Sequence, residues 1–113
     1  MKTVYVAHPL HGATGSPREI EINMDRIEMI MEQLSYIFPD FLLLSPIHAF
    51  SFYDPNCEQI QVMEQCFALL EKCDELWLFD TWQESKGCLQ ELKHAKAEGL
   101  KIRYMKNIKE VTK

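Results

Sequence analysis

The chain has 113 residues, a net charge of −5 and 47% hydrophobic residues. That length sets one domain with one packed core, and the acidic balance excludes a sequence-independent nucleic-acid binder, which needs a basic face. No apolar run approaches the ~18 residues of a membrane span, and Met1-Lys2-Thr3-Val4-Tyr5 enters a strand with no signal-peptide layout. Cys57, Cys66, Cys73 and Cys88 are irregularly spaced with no C-x-x-C pair, so they read as reduced thiols of a cytoplasmic protein.

In chain order, Thr3-Val4-Tyr5-Val6-Ala7 reads as the first strand and His8 to Pro17 as a Gly- and Pro-containing loop. Ser16 caps a first helix whose apolar face is Ile20, Met24, Ile27, Met31, Leu34 and Phe38, and Pro39-Asp40 ends it. Phe41 to Ser45 is the second strand, stopped by Pro46, and Ile47 to Asn56 is a loop rich in aromatics. A second helix is expected from Cys57 to Cys73, with Ile60, Met63, Cys66, Phe67 and Leu70 inward. Glu75-Leu76-Trp77-Leu78-Phe79 is a short apolar run of the kind buried on both faces of a parallel sheet. Asp80 to Glu84 is the turn after it. Ser85 caps a third helix, Gly87 leaves its first turn open to close approach, and Gly99 ends it. Lys101 to Met105 is the fourth strand, and residues 107–113 form a polar tail outside a single domain of residues 1–106.

This alternation predicts a three-layer α/β fold, flavodoxin- or Rossmann-like, with a short parallel sheet in the order 2-1-3-4. Right-handed crossovers put the first helix alone on one face. Strands three and four are then expected to be bare on that side, beyond the cover of a seven-residue tail, and a homodimer or higher homo-oligomer is expected to bury them.

In such sheets ligands bind beyond the carboxyl ends of the strands, where strand order reverses. The residues delivered there include His8, Pro9, His11, His48, Asp80, Trp82, Ser85 and Gly87. The start of the third helix attracts phosphate or carboxylate. Glu91 lies six residues after the Ser85 cap, about 9 Å along the axis. That separation suits a nucleotide, with phosphate at the cap and sugar over the acid. A carboxylate there can attack an anomeric carbon; a solvated helix acid is the alternative. The histidine spacing supports no metal site, and hydrogen bonding to a base or phosphate is expected of His8, His11 and His48. Trp82, Phe50, Phe52 and Tyr53 either stack on a nucleobase or pack on their own scaffold. Arg18 and Arg26 are further candidates for phosphate contact.

Residues KTVYVA, the SPIHAF loop, the CDELWLFD strand and the run Ser85-Lys86-Gly87-Cys88-Leu89-Gln90-Glu91 followed by HAKAEGLKI together resemble the nucleoside 2-deoxyribosyltransferase superfamily, closest to its small DUF4406-type members. The Ser-x-Gly-x-x-x-Glu spacing is similar to that of the 2′-deoxynucleoside 5′-monophosphate N-glycosidases. The resemblance implies Glu91 as nucleophile, Ser85 as phosphate ligand and Tyr5 as the residue that orients the nucleophile. It implies a small nucleoside or nucleotide as partner and no cofactor.

Two departures stand out. The relatives carry a general-acid Asp eight residues before the Asp that opens the third strand, and here that position is Cys66. Their Gly-rich, Arg-containing first loop is replaced by His8-Pro9-Leu10-His11-Gly12. Asp80, Glu64 or His48 could stand in for the acid, Asp80 first because it ends a strand. The expected function is N-glycosidic cleavage or deoxyribosyl transfer. A non-catalytic nucleotide-binding module on the same fold is the alternative.

Overall fold

The computed structural model describes residues 1–112. Its elements are β1 (Lys2–Ala7), α1 (Pro17–Ile37), β2 (Phe41–Leu44), α2 (Pro46–Ala49), α3 (Gln59–Leu70), β3 (Glu75–Leu78), α4 (Lys86–Ala97) and β4 (Lys101–Tyr104), with 3-10 turns at Trp82–Glu84 and Ile108–Glu110. The sheet is parallel throughout in the order β2-β1-β3-β4. The four-stranded parallel α/β fold expected from the alternation is the one found.

Side-chain alternation divides the core. Tyr5, Ala7, Leu76 and Leu78 face α3 and α4, where Cys66, Leu70, Cys88, Leu92 and Ala95 meet them. Val4, Val6, Trp77 and Phe79 face α1 and pack on Ile27, Ile30 and Leu34. Each such side chain, fully buried, contributes about 1.5–3 kcal/mol.

The face expected to be bare is covered within one chain. Trp77 and Phe79 are fully buried, and Ile108 from the tail is 8% exposed in the same cluster. Phe38 meets the Trp77 ring edge-on at 4.9 Å, and the Arg103 guanidinium lies 4.9 Å from the same ring. A few apolar tail residues suffice because Trp77 is large and Arg103 spreads its stem and planar head over it. The tail's last residue, Lys113, lies outside the described residues.

Helix boundaries moved where local capping differed from the periodicity. Ser45 caps α2, with Pro46 at its first position, inside what reads as a loop. α3 begins at Gln59 rather than Cys57, after a turn in which the Cys57 N–H donates to the Asp54 carbonyl at 2.9 Å. Ile60, expected inward, is 72% exposed. On α1 the buried stripe is Asn23, Ile27, Ile30 and Leu34, and Met24 is turned outward. Asn23 replaces it because its amide donates to the Leu10 carbonyl at 3.0 Å and so holds the loop after β1.

That loop is held a second time. Ser16 accepts from the Glu19 N–H at 3.1 Å, while the Glu19 carboxylate accepts from Ala13 and Thr14 N–H groups at 2.6 and 3.1 Å and from the Thr14 hydroxyl. These bonds, the Thr14 hydroxyl foremost, hold the Glu19 carboxyl below its usual range. Gly12 sits at φ +66, and a Cβ there would fall on the Glu19 carboxyl, so the loop requires glycine.

Candidate active site

β1 delivers Tyr5 to the α4 side because odd residues of that strand point there. α4 delivers Glu91 because its cap sets the phase of the helix. The Ser85 hydroxyl accepts from the Cys88 N–H at 3.2 Å, and Cys88, Glu91, Leu92 and Ala95 form the buried stripe. Gly99 at φ +75 closes the helix, with the Leu100 N–H returning to the Ala95 carbonyl at 3.0 Å.

The Tyr5 hydroxyl donates to Glu91 Oε2, and both residues are buried. Burial raises the Glu91 carboxyl from 4.5 to about 7, and the Tyr5 bond opposes that rise. The Tyr5 phenol is pushed well above its usual value by burial and then by the Glu91 charge. Cys66 lies beside the Tyr5 hydroxyl. Burial, then Glu91, pushes its thiol up to about 12, and Cys88 is raised by the same causes. Both thiols therefore stay neutral near pH 7, while Glu91 changes charge there.

Glu91 opens onto a cavity of about 640 Å³. Ser85, Lys86 and Gly87 border it at the start of α4, His8, Leu10, His11 and Gly12 after β1, and Phe50 and Tyr53 after α2. Met63, Cys66 and Phe67 border it from α3. A Cβ at Gly87 would meet nothing nearer than 3.9 Å, so the space beside that backbone is open. His11 donates from Nε2 to the Pro55 carbonyl at 2.8 Å, which joins two of the bordering loops.

Not every candidate reaches the cavity. Asp80, expected as the stand-in acid, does not border it. Its carboxylate lies 2.7 Å from His8 Nε2, and its backbone is left-handed at φ +54. His8 Nδ1 donates to the Pro9 carbonyl at 2.7 Å, so both ring nitrogens are occupied and Pro9 serves as an acceptor for His8. His48 is exposed and binds the Ser45 hydroxyl through Nδ1 at 2.8 Å. Trp82 is turned by its 3-10 turn toward β4, where its ring lies 5.3 Å from Tyr104. Arg18 and Arg26 are exposed on α1 and do not border the cavity. Glu64 does border it. Sequence reasoning gave no site role to Lys86, Cys88, Gln90 or Phe67, all of which border the cavity. Lys86 and Cys88 could have been found from their places one and three residues after the Ser85 cap.

The four-stranded parallel α/β fold matches that of a solved deoxyribosyltransferase and a solved N-glycosidase. The chain belongs to the DUF4406 family, described as a domain of unknown function, whose model matches residues 2–104. Among solved structures it is similar to a 2-desoxiribosyltransferase from Leishmania mexicana, with 18% identity and a TM-score of 0.56 over 92% of this chain. The chain spans 63% of the length of that protein. It is also similar to the CMP N-glycosidase BcmB of Clostridium botulinum, with 20% identity and a TM-score of 0.58 over 92% of this chain and 71% of that one. No curated protein matches the chain. Among the described residues no helix is long and apolar enough to cross a membrane.

Proposed function

We propose that the chain cleaves, or transfers across, the N-glycosidic bond of a nucleoside or nucleotide, with Glu91 as the nucleophile. The observation that carries this reading is the buried Glu91 carboxylate, held by the Tyr5 hydroxyl and open to a cavity that begins at the Ser85 cap. The ionised carboxylate attacks the anomeric carbon as the base departs, and water or a second base then resolves the glycosyl-enzyme. Tyr5 positions the carboxylate and favours its charged form. Ser85 and Gly87 hold the 5′ end of the sugar and any phosphate on it, where the first N–H groups of α4 point. The similar transferase and N-glycosidase structures support the same chemical class. The carboxylate supplies the chemistry, so the reading needs no cofactor or metal.

The test is release of free base from a panel of ribo- and deoxyribonucleosides and their 5′-monophosphates, followed by liquid chromatography. Release abolished in Glu91→Gln, with a sugar adduct on Glu91 seen by mass spectrometry, is the expected result. Release that survives Glu91→Gln sinks the nucleophile assignment.

A second reading is a binding module that holds the nucleotide without turning it over. Cys66, a neutral thiol where an acid would assist base departure, favours it. Saturable binding by calorimetry with no base release would select this reading over the first. A homodimer also belongs to the proposal. With the sheet face covered, exposed Met24 and Ile60 at the cavity edge are where a second copy would sit, and sedimentation velocity tests it.

A further inference from the structure

We infer that the substrate is an N-glycoside whose leaving heterocycle carries a fixed positive charge at the glycosidic nitrogen, such as a pyridinium nucleoside. This rests on the glycosidic reading above and names its substrate class.

Charge is the first observation. Asp54, Glu64 and Glu91 border the cavity, and among the described residues Lys86 is the one lysine or arginine that does. Lys86 stands at the start of α4, so positive potential is gathered at the sugar end. Apart from His8, His11 and neutral polar groups such as Gln59 and Gln90, the rest of the wall is acidic or apolar, and the rings of Phe50, Tyr53 and Phe67 border the same cavity. Aromatic faces and carboxylates together attract a flat cation.

Proton supply is the second observation. A neutral nucleobase leaves as an anion unless an acid protonates it, and that assistance contributes about 10²–10⁴ in rate. Beside Glu91 and Tyr5 stands the Cys66 thiol, too weak an acid for the task. Asp80 is bound to His8 and lies off the cavity. His8 is occupied at both nitrogens, His11 is bound to the Pro55 carbonyl, and Glu64, though it borders the cavity, is exposed to solvent. A cationic heterocycle removes the requirement. Glu91 Oε forms a bond to C1′ while the C1′–N bond breaks. The electron pair goes to the ring nitrogen, cancels its charge, and the base leaves neutral without a proton. Water then adds to C1′, the C1′–O(Glu91) bond breaks to regenerate the carboxylate, and one proton passes to solvent. The cation would also favour the ionised form of Glu91 on binding.

The experiment compares nicotinamide riboside with nicotinic acid riboside, which keeps the pyridinium but adds a carboxylate, and with adenosine and cytidine. Each is supplied as the riboside and the 2′-deoxyriboside, with and without a 5′-phosphate. For nicotinamide riboside we expect kcat/KM at least about a hundredfold above adenosine and cytidine, since no acid is needed. We expect about tenfold over nicotinic acid riboside, because the exposed carboxylates act partly through solvent. Asp54→Asn with Glu64→Gln should erase that tenfold gap. The pH profile of kcat/KM should rise through one ionisation to a plateau, with no falling limb from a second acid. Adenosine or cytidine cleaved as well as nicotinamide riboside, in a Glu91-dependent way, overturns the cationic class and leaves the glycosidic reading standing. No Glu91-dependent release from any of them removes both.

Discussion

The Tyr5 hydroxyl donates to the Glu91 carboxylate across 86 positions of chain, joining the central strand β1 to the helix α4 at the cavity wall. The bond lowers the affinity of a buried acid for its proton, while the burial of that acid raises it. The balance leaves Glu91 titrating near neutrality, where its charged form is the nucleophile the proposed reaction needs.

Removing the donor should expose that balance. Tyr5→Phe keeps the ring and deletes the hydroxyl. A bond to a charged group is worth about 1.5–3 kcal/mol, so the Glu91 midpoint should rise by about one pH unit or more. Carbon-13 NMR of labelled glutamate reads this directly. In the proposed reaction kcat/KM at pH 7 should fall about tenfold or more, with partial recovery at higher pH. An unmoved midpoint would remove Tyr5 from the role.

Stability should depend on pH through the same group. The unfolded chain releases the Glu91 proton near 4.5, the folded chain near 7. Between these values the folded state binds more protons, so stability falls as pH rises and levels off above about 7. The full drop is about 3 kcal/mol. Glu91→Gln still bonds Tyr5 but cannot ionise, so it should be as stable as the parent at pH 4.5 and more stable at pH 8. Urea unfolding at the two pH values checks it, and parallel pH dependence of parent and variant would refute it.

Asp80 combines a left-handed backbone with a bond to buried His8. Asp80→Ala should lose about 2–4 kcal/mol, from the orphaned imidazole and a backbone that alanine tolerates poorly. Asp80→Gly loses the same bond but not the backbone preference, and should recover about 1 kcal/mol of that. Alanine equal to or better than glycine in denaturant titration would count against the conformation.

Ile108 is the tail's buried contact with the Trp77 face. Ile108→Asp should cost about 3 kcal/mol or more, by lost apolar burial and an unpaired buried charge. In a Trp82→Phe background, which leaves Trp77 as the single tryptophan, acrylamide quenching should rise with the tail displaced. Unchanged quenching would mean that the tail is not what covers this face.

Much of the fold was legible because its signals are local. The β-branched run before His8, the apolar run before Asp80 and the Ser16, Ser85 and Gly99 caps each act within a few residues, so alternation and capping located β1, β3, α1 and α4. Glu91 was legible as an acid on the flank of an apolar stripe. His48, Asp80 and Trp82, expected among the residues at the crevice, do not border the cavity. Each sits in the right loop, but its direction is set by a nonlocal partner or a local turn that periodicity does not encode. Ser45 holds His48, His8 holds Asp80, and Tyr104 lies against Trp82. The tail was misjudged for the same reason. Its worth depends on a few apolar residues, Ile108, Met105 and Val111, joining the cluster that holds Trp77, from a distant strand, and Phe79.

From sequence alone came the order of strands and helices, the parallel sheet and the spacing from Ser85 to Glu91, because chain geometry and capping decide these over short distances. Tertiary structure decided that Glu91 is buried against Tyr5, that Cys66 lies beside them, and that Asp80 belongs to His8 rather than to the cavity. Burial and the approach of residues distant in sequence set a carboxylate's charge, and neither exists until the sheet and its helices close on one another.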